Sequence, residues 1–140
     1  MNRLSHKSTG AFTLIEIMLV VMIIALLAGA AISLMRGNVD EARYVRAEAD
    51  IQNIMTSLQM YDVSNGGFPS TQQGIAALVE RPSGEPQPRK WRRLMEQVPL
   101  DPWGTAYLIR NPATKSKSRI DVYSAGPDRL ANTDDDVGNW

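Results

Sequence analysis

The 140-residue sequence contains no cysteine and one histidine. The histidine, His6, lies among the first eleven residues, so everything after them lacks both imidazole and thiol. That excludes zinc sites of the usual kind, thiol nucleophiles and histidine-based triads, and makes an enzyme a poor reading. Missing cysteine does not locate the domain, because reducing and oxidising compartments both tolerate it. Charge excess is missing too: 15 basic side chains face 15 acidic ones, which argues against a nucleic-acid binder. No proline interrupts Phe12 to Asp62, and no charge falls between Glu16 and Arg36.

Those last two absences define what is present. Phe12 to Met35 is an apolar run, and as a helix the stretch Ile17 to Met35 rises about 28 Å, against a hydrocarbon core of roughly 30 Å. It is long enough to span a bilayer. Glu16 is the one charge in it. A carboxylate there either snorkels to the headgroups, four residues inside the apolar edge, or meets a partner and carries a function. After Met35 the helical period continues through Tyr44, Ala47, Ile51, Ile54, Leu58 and Tyr61, spaced three and four apart. The sequence therefore predicts one helix of about 50 residues, its second half covered by a globular domain of about 100 residues, near the lower size limit for a single core. Gly29 and Gly37 are its expected weak points.

Asn65-Gly66-Gly67 should end that helix. Ser70 and Gln73, in capping-box spacing, predict a second helix to about Glu80 that buries Ile75, Leu78 and Val79 and stops before Pro82. Pro82 to Pro88 reads as a loop. Asp101-Pro102-Trp103-Gly104 matches a type I turn. Tyr107 to Arg110 and Ile120 to Tyr123 read as short strands, with a third extended piece near Val98. The predicted fold class is α+β: a long helix packed against a short helix and a small antiparallel sheet, with no internal repeat.

Two charged clusters remain. Arg89-Lys90-Trp91-Arg92-Arg93 reads as a solvated surface, or else as a contact for phosphates, headgroups or an acidic face of a neighbouring subunit. The C-terminal stretch carries Asp128, Asp134, Asp135 and Asp136 beside turn formers, and reads as a solvated acidic tail or as a loop folding oxygens around a hard cation. It is not an EF-hand, because Leu130 and Thr133 stand where that motif needs an acid or amide and a glycine.

The polar leader MNRLSHKSTGA followed by Phe12-Thr13-Leu14-Ile15-Glu16 resembles the class III leader of type IV pilin-like proteins. The resemblance implies that residues 1–11 are a leader, that a prepilin peptidase cuts between Ala11 and Phe12 and methylates the new amine, and that Glu16 becomes the fifth residue. The family usually has Gly before the cut; here Gly10 precedes Ala11, and cutting after Gly10 would make Glu16 the sixth. Removing the leader takes Arg3 and Lys7 and leaves 13 basic against 15 acidic side chains. Arg36, Arg43 and Arg46 follow the apolar run, so the count of basic residues does not orient it, and the cytoplasmic N-terminus rests on the leader.

Tyr61, Phe68-Pro69, Gln73-Gly74, Asp101-Pro102-Trp103-Gly104 and the ending GPD…TDDDVGNW are together similar to the major pseudopilins of type II secretion systems. This implies a non-enzymatic subunit that polymerises with copies of itself into a periplasmic filament driving protein export. Residues 12–35 would be the transmembrane and polymerisation helix and 36–140 the periplasmic domain. Implied partners are minor pseudopilins, the inner-membrane secretion platform, the prepilin peptidase and membrane lipid, with Glu16 paired to the Phe12 amine of a neighbour. Structural calcium is implied as well, held by Asp128, Asp135 and Asp136, by backbone oxygens of Ala125 with Leu130 or Thr133, and by Asp134, where the family often has a different residue. Major pseudopilins often have proline where Ser33 stands. Alternatives are a type IV pilin, which commonly closes its C-terminal region with a disulfide, a minor pseudopilin, or a membrane-tethered calcium-binding module that does not polymerise.

Overall fold

The computed structural model describes residues 13–140, with backbone alone for 32–38. The chain divides into two compact units, Met1–Val39 and Asp40–Trp140. The predicted leader, Ala11 and Phe12 lie outside the described residues, as do the side chains around Ser33 and Gly37.

Helix α1 runs Leu14–Asn65, 52 residues, as the uninterrupted periodicity requires. Thr13 starts it: the Glu16 backbone N–H donates to Thr13 Oγ1 at 3.3 Å, satisfying one of the amides that every helix start leaves open. In the first unit, Leu14–Ala31 is long and apolar enough to cross a membrane, and none of it is buried.

In the second unit the predicted stripe is the spine of the core. Ala47, Ile51, Ile54, Leu58 and Tyr61 are each at most 2% exposed, while Tyr44 is half-buried with its ring 5.2 Å from that of Trp103. Burying a side chain of this kind contributes roughly 1.5–3 kcal/mol. Against the stripe pack Ile75, Ala77 and Leu78, which follow the helix, and Ile109 and Val122 from the sheet with Tyr107 and Ile120 just before its first two strands.

The sheet has three antiparallel strands in the order β1 (Leu108–Arg110), β2 (Asp121–Ser124), β3 (Val137–Gly138). Leu108 faces Tyr123, and Tyr123 faces Gly138. All four residues of β2 are buried, as a central strand covered on both faces requires. Strand β3 is only two residues long, but Asn139 extends its pairing. The Asn139 N–H donates to the Val122 carbonyl at 3.2 Å, and its side-chain oxygen accepts from the Val122 N–H at 3.0 Å.

Two expectations need correction. The second helix is a single 3-10 turn, Ile75–Leu78. Ser70 and Gln73 do bond reciprocally, at 3.0 and 3.2 Å, but they close the turn before it, because Gly74 at φ 60° breaks any continuous helix. Ala77 is buried where Val79 was expected, and Val79 is half-buried. The third strand is β3, not the segment near Val98. The chain there makes one bridge, Leu100 to Ala106, across the Asp101 turn, whose Gly104 N–H donates to the Asp101 carbonyl at 3.0 Å.

Candidate functional site

The acidic loop joins β2 to β3. Because β2 is buried and β3 returns beside it, Ala125 to Asp136 must reverse within twelve positions. Gly126 makes the reversal possible: it lies at φ 67°, and a Cβ there would overlap the Asp135 carbonyl oxygen. The loop continues through two left-handed residues that are not glycine, Arg129 at φ 62° and Asn132 at φ 74°.

Of the predicted ligands, Asp128, Asp135, Thr133 and Leu130 are tied into one knot. Asp135 Oδ2 accepts from the Asp128 N–H at 3.2 Å, and its Oδ1 accepts from the Thr133 hydroxyl at 2.7 Å. The Thr133 hydroxyl also lies 2.9 Å from the Leu130 carbonyl, and Asp128 Oδ1 accepts from the Leu130 N–H at 2.7 Å. The Thr133 hydroxyl bond, with that from Asp128, holds the Asp135 carboxyl below the ordinary carboxylate range. Ala125 is buried at the root of the loop. Asp134 is exposed and takes no part in these bonds.

Asp136 stands apart from the knot. Its side chain is 1% exposed, with Oδ2 accepting from the Asn132 N–H at 3.0 Å and facing Lys115 Nζ at 3.4 Å. Its Oδ1 is buried with no hydrogen-bond partner among the described residues. A buried carboxylate oxygen with nothing to accept from is a place where a cation fits. Among the described residues no three acidic or imidazole side chains converge by themselves, so a cation here must also draw on carbonyl oxygens. The donor set, carboxylates with backbone carbonyls beside turn residues, suits a hard divalent ion such as Ca²⁺.

Sequence reasoning missed what holds the loop in place. Asp121, fully buried in β2, accepts backbone N–H bonds from Thr114 at 2.8 Å, Lys115 at 3.1 Å and Ser116 at 2.9 Å. Burial pushes its carboxyl up, but these bonds outweigh that and hold it well below the usual range. Arg110 ion-pairs with Asp121 at 3.3 Å, lies over the Tyr123 ring and donates to Asn132 Oδ1, so one guanidinium ties the sheet to the loop. A second tie is Asp101, buried beneath its turn. One oxygen accepts from the Trp103 and Thr105 N–H groups and the other from the Ser124 hydroxyl, which itself accepts from the Gly126 N–H at 3.0 Å. The readable signal for Asp121 was a carboxylate inside the apolar strand Ile120 to Tyr123, which demands partners.

The basic cluster is a strap of exposed basic side chains, one of which, Arg93, donates its Nε–H to the Val79 carbonyl at 3.1 Å. The strap's backbone and rings bind the end of α1 and the 3-10 turn: the Lys90 N–H donates to Asn65 Oδ1 at 2.9 Å, and Trp91 Nε1 to the Ala77 carbonyl at 2.8 Å. Arg89, Lys90, Arg92 and Arg93 are exposed. At the other end of the chain, Glu16 is exposed on the first turn of α1.

Residues 34–140 match the family described as type II secretion system protein G, and residues 6–32 match the prokaryotic N-terminal methylation motif. The chain belongs to the type II secretion system protein G family. Relatives named type II secretion system core protein G include those of Pseudomonas aeruginosa, 39% identical over 98% of this chain and 99% of the relative, and of Escherichia coli, 37% identical over 99% and 94%. A third, from Pectobacterium carotovorum, is 40% identical over 92% of this chain and 83% of its own. The crystal structure of the major pseudopilin from the type 2 secretion system of enterohaemorrhagic Escherichia coli is similar, with TM-score 0.70 and 40% identity over 75% of this chain and 92% of that one. The protein G match spans the second half of α1 and the whole domain that follows it, and the methylation motif covers Glu16 and most of the apolar helix.

Proposed function

We propose that this chain is the major subunit of a type II secretion pseudopilus, a structural polymer rather than an enzyme, and that its assembly drives export of folded proteins across the outer membrane. The observation that carries this is the union, in one chain, of a methylation motif over residues 6–32 and a protein G domain over 34–140. The uncovered apolar span Leu14–Ala31 agrees with it.

In this reading the prepilin peptidase cuts between Ala11 and Phe12 and methylates the Phe12 amine. The subunit waits in the inner membrane, N-terminus cytoplasmic and residues 36–140 periplasmic. Lipid then gives way to an equally apolar bundle of α1 helices from many copies, built with minor pseudopilins on an inner-membrane platform. Leaving lipid for protein makes a lone carboxylate costly, so Glu16 pairs with the Phe12 amine of an adjacent copy. Nothing in the mechanism calls on nucleic acid.

Calcium, when bound, neutralises the acidic loop and fastens the chain end to the sheet, as a disulfide does in other small domains. Asp136 with Asp135 and Asp128 would hold it, together with carbonyls of Ala125 and Leu130 or Thr133, and Asp134 has the weakest claim. The substitution that tests the polymer is Glu16→Ala. Its intact mass should equal that of residues 12–140 plus one methyl group after the substitution is allowed for, with the subunit retained in the membrane and filaments lost. Filaments at the wild-type yield would refute the pairing.

A further inference from the structure

Asp136 is a buried charge whose balance comes from a side chain that the calcium reading leaves unused. One carboxylate oxygen has the Asn132 N–H and the Lys115 ammonium, and the other has no partner among the described residues. Lys115 is placed there by the backbone. The N–H groups of Thr114, Lys115 and Ser116 all bind Asp121, which is fully buried in the central strand, so the chain at 115 is held beside the loop. From that point the ammonium lies 3.4 Å from Asp136 Oδ2 and 4.5 Å from the centre of the Trp140 ring. The Lys115 side chain is 38% exposed, so its head can reach water while its methylenes stay in place.

We infer that Lys115 is a tethered counter-cation for the C-terminal loop. Its ammonium balances Asp136 while the loop is free of metal, and it swings to solvent when calcium docks on the unpartnered oxygen. This rests on the calcium reading above and goes beyond it: binding becomes an exchange of one cation for another. An ammonium and a divalent ion a few ångströms apart repel, so Lys115 sets the affinity lower than the carboxylates alone would give. It also keeps the metal-free loop folded, since a buried carboxylate stripped of the one cation that pairs with it among the described residues is strongly unfavourable.

The test compares wild type, Lys115→Met and Lys115→Arg as full chains in detergent, by calorimetric titration with calcium chloride and by thermal unfolding in EGTA and in saturating calcium. Methionine keeps an apolar stem against Trp140 and removes the charge. Lys115→Met should bind calcium about tenfold more tightly, melt below wild type in EGTA and match it in calcium. Lys115→Arg should behave as wild type in all three. A Lys115→Met chain that folds only with calcium supports the exchange. An equal loss in EGTA and calcium, unchanged or weaker binding, or failure to fold even with calcium would make Lys115 a permanent structural pair and overturn it, while wild-type binding still upheld the site. If wild type itself neither binds calcium nor shifts its melting, the calcium reading fails and the exchange falls with it.

Discussion

Replacing Asp121 by asparagine removes one charge and no volume, and the structure says it should be among the most damaging changes in the domain. Asp121 Oδ1 accepts from the Ser116 N–H, while Oδ2 accepts from those of Thr114 and Lys115 and faces Arg110 at 3.3 Å. An amide can present an acceptor on one side only. The better orientation keeps oxygen at the Oδ2 position and turns the NH₂ group toward the Ser116 N–H, donor against donor. That leaves one buried amide unsatisfied, at about 1–3 kcal/mol, and weakens the bonds that the lost charge had strengthened. Arg110, only 20% exposed, loses its anion as well. Together these losses come to about 3 kcal/mol, or roughly 12–24 °C in melting temperature for a domain of this size. Thermal unfolding of the detergent-solubilised full chain, followed by tryptophan fluorescence, measures it.

The same substitution has a signature in pH. The folded Asp121 carboxyl is held below its ordinary value, so it stays ionised after the unfolded chain has begun to take up protons. Its contribution is therefore complete above the unfolded pKa, about 4, and is lost as pH falls toward the depressed folded value. The stability gap between wild type and Asp121→Asn should narrow on acidification below about pH 4. A loss under about 1 kcal/mol, with a gap independent of pH, would refute the claim that this carboxylate organises the 114–116 turn.

Two further changes probe the acidic loop. Arg129→Gly relieves a non-glycine residue at φ 62°. It should raise stability by about 0.5–1 kcal/mol after the greater freedom of unfolded glycine is allowed for, so a lower melting temperature would count against that strain. Gly126→Ala puts a Cβ onto the Asp135 carbonyl at a positive φ. It should cost about 2–3 kcal/mol and open residues 127–136 to limited proteolysis, whereas wild-type resistance would show that the reversal at Gly126 can yield.

What was legible beforehand was whatever has a period or a local rule. The helix followed from the absence of proline and the spacing of Ala47, Ile51, Ile54, Leu58 and Tyr61, and the Asp101 turn from the order Asp-Pro-x-Gly. The Ser70 and Gln73 pair shows where a local rule stops. Its two hydrogen bonds are present, yet they close a turn, because the rule carries no information about the backbone of Gly74. Strand β3 was missed because two residues carry no alternation to read, and its pairing is completed by a side chain, that of Asn139. In the loop, the acidic residues themselves stood out, whereas Arg110, Lys115 and Asp121 did not. Asp121 acts on the chain five to seven positions before it, across the connection from β1, and the partners of Arg110 and Lys115 lie 11 to 22 positions away, brought together only when β1, β2 and the chain end pair.

The family assignment separates this chain from type IV pilins and from a non-polymerising calcium module, and it makes self-assembly the central claim. Chemical crosslinking in cells that produce the full chain beside a type II secretion apparatus tests that claim most directly. The account predicts a ladder of integer multiples of the subunit mass from the processed wild type, lost in Glu16→Ala. A wild-type chain that stays monomeric even when overproduced with the apparatus would contradict it.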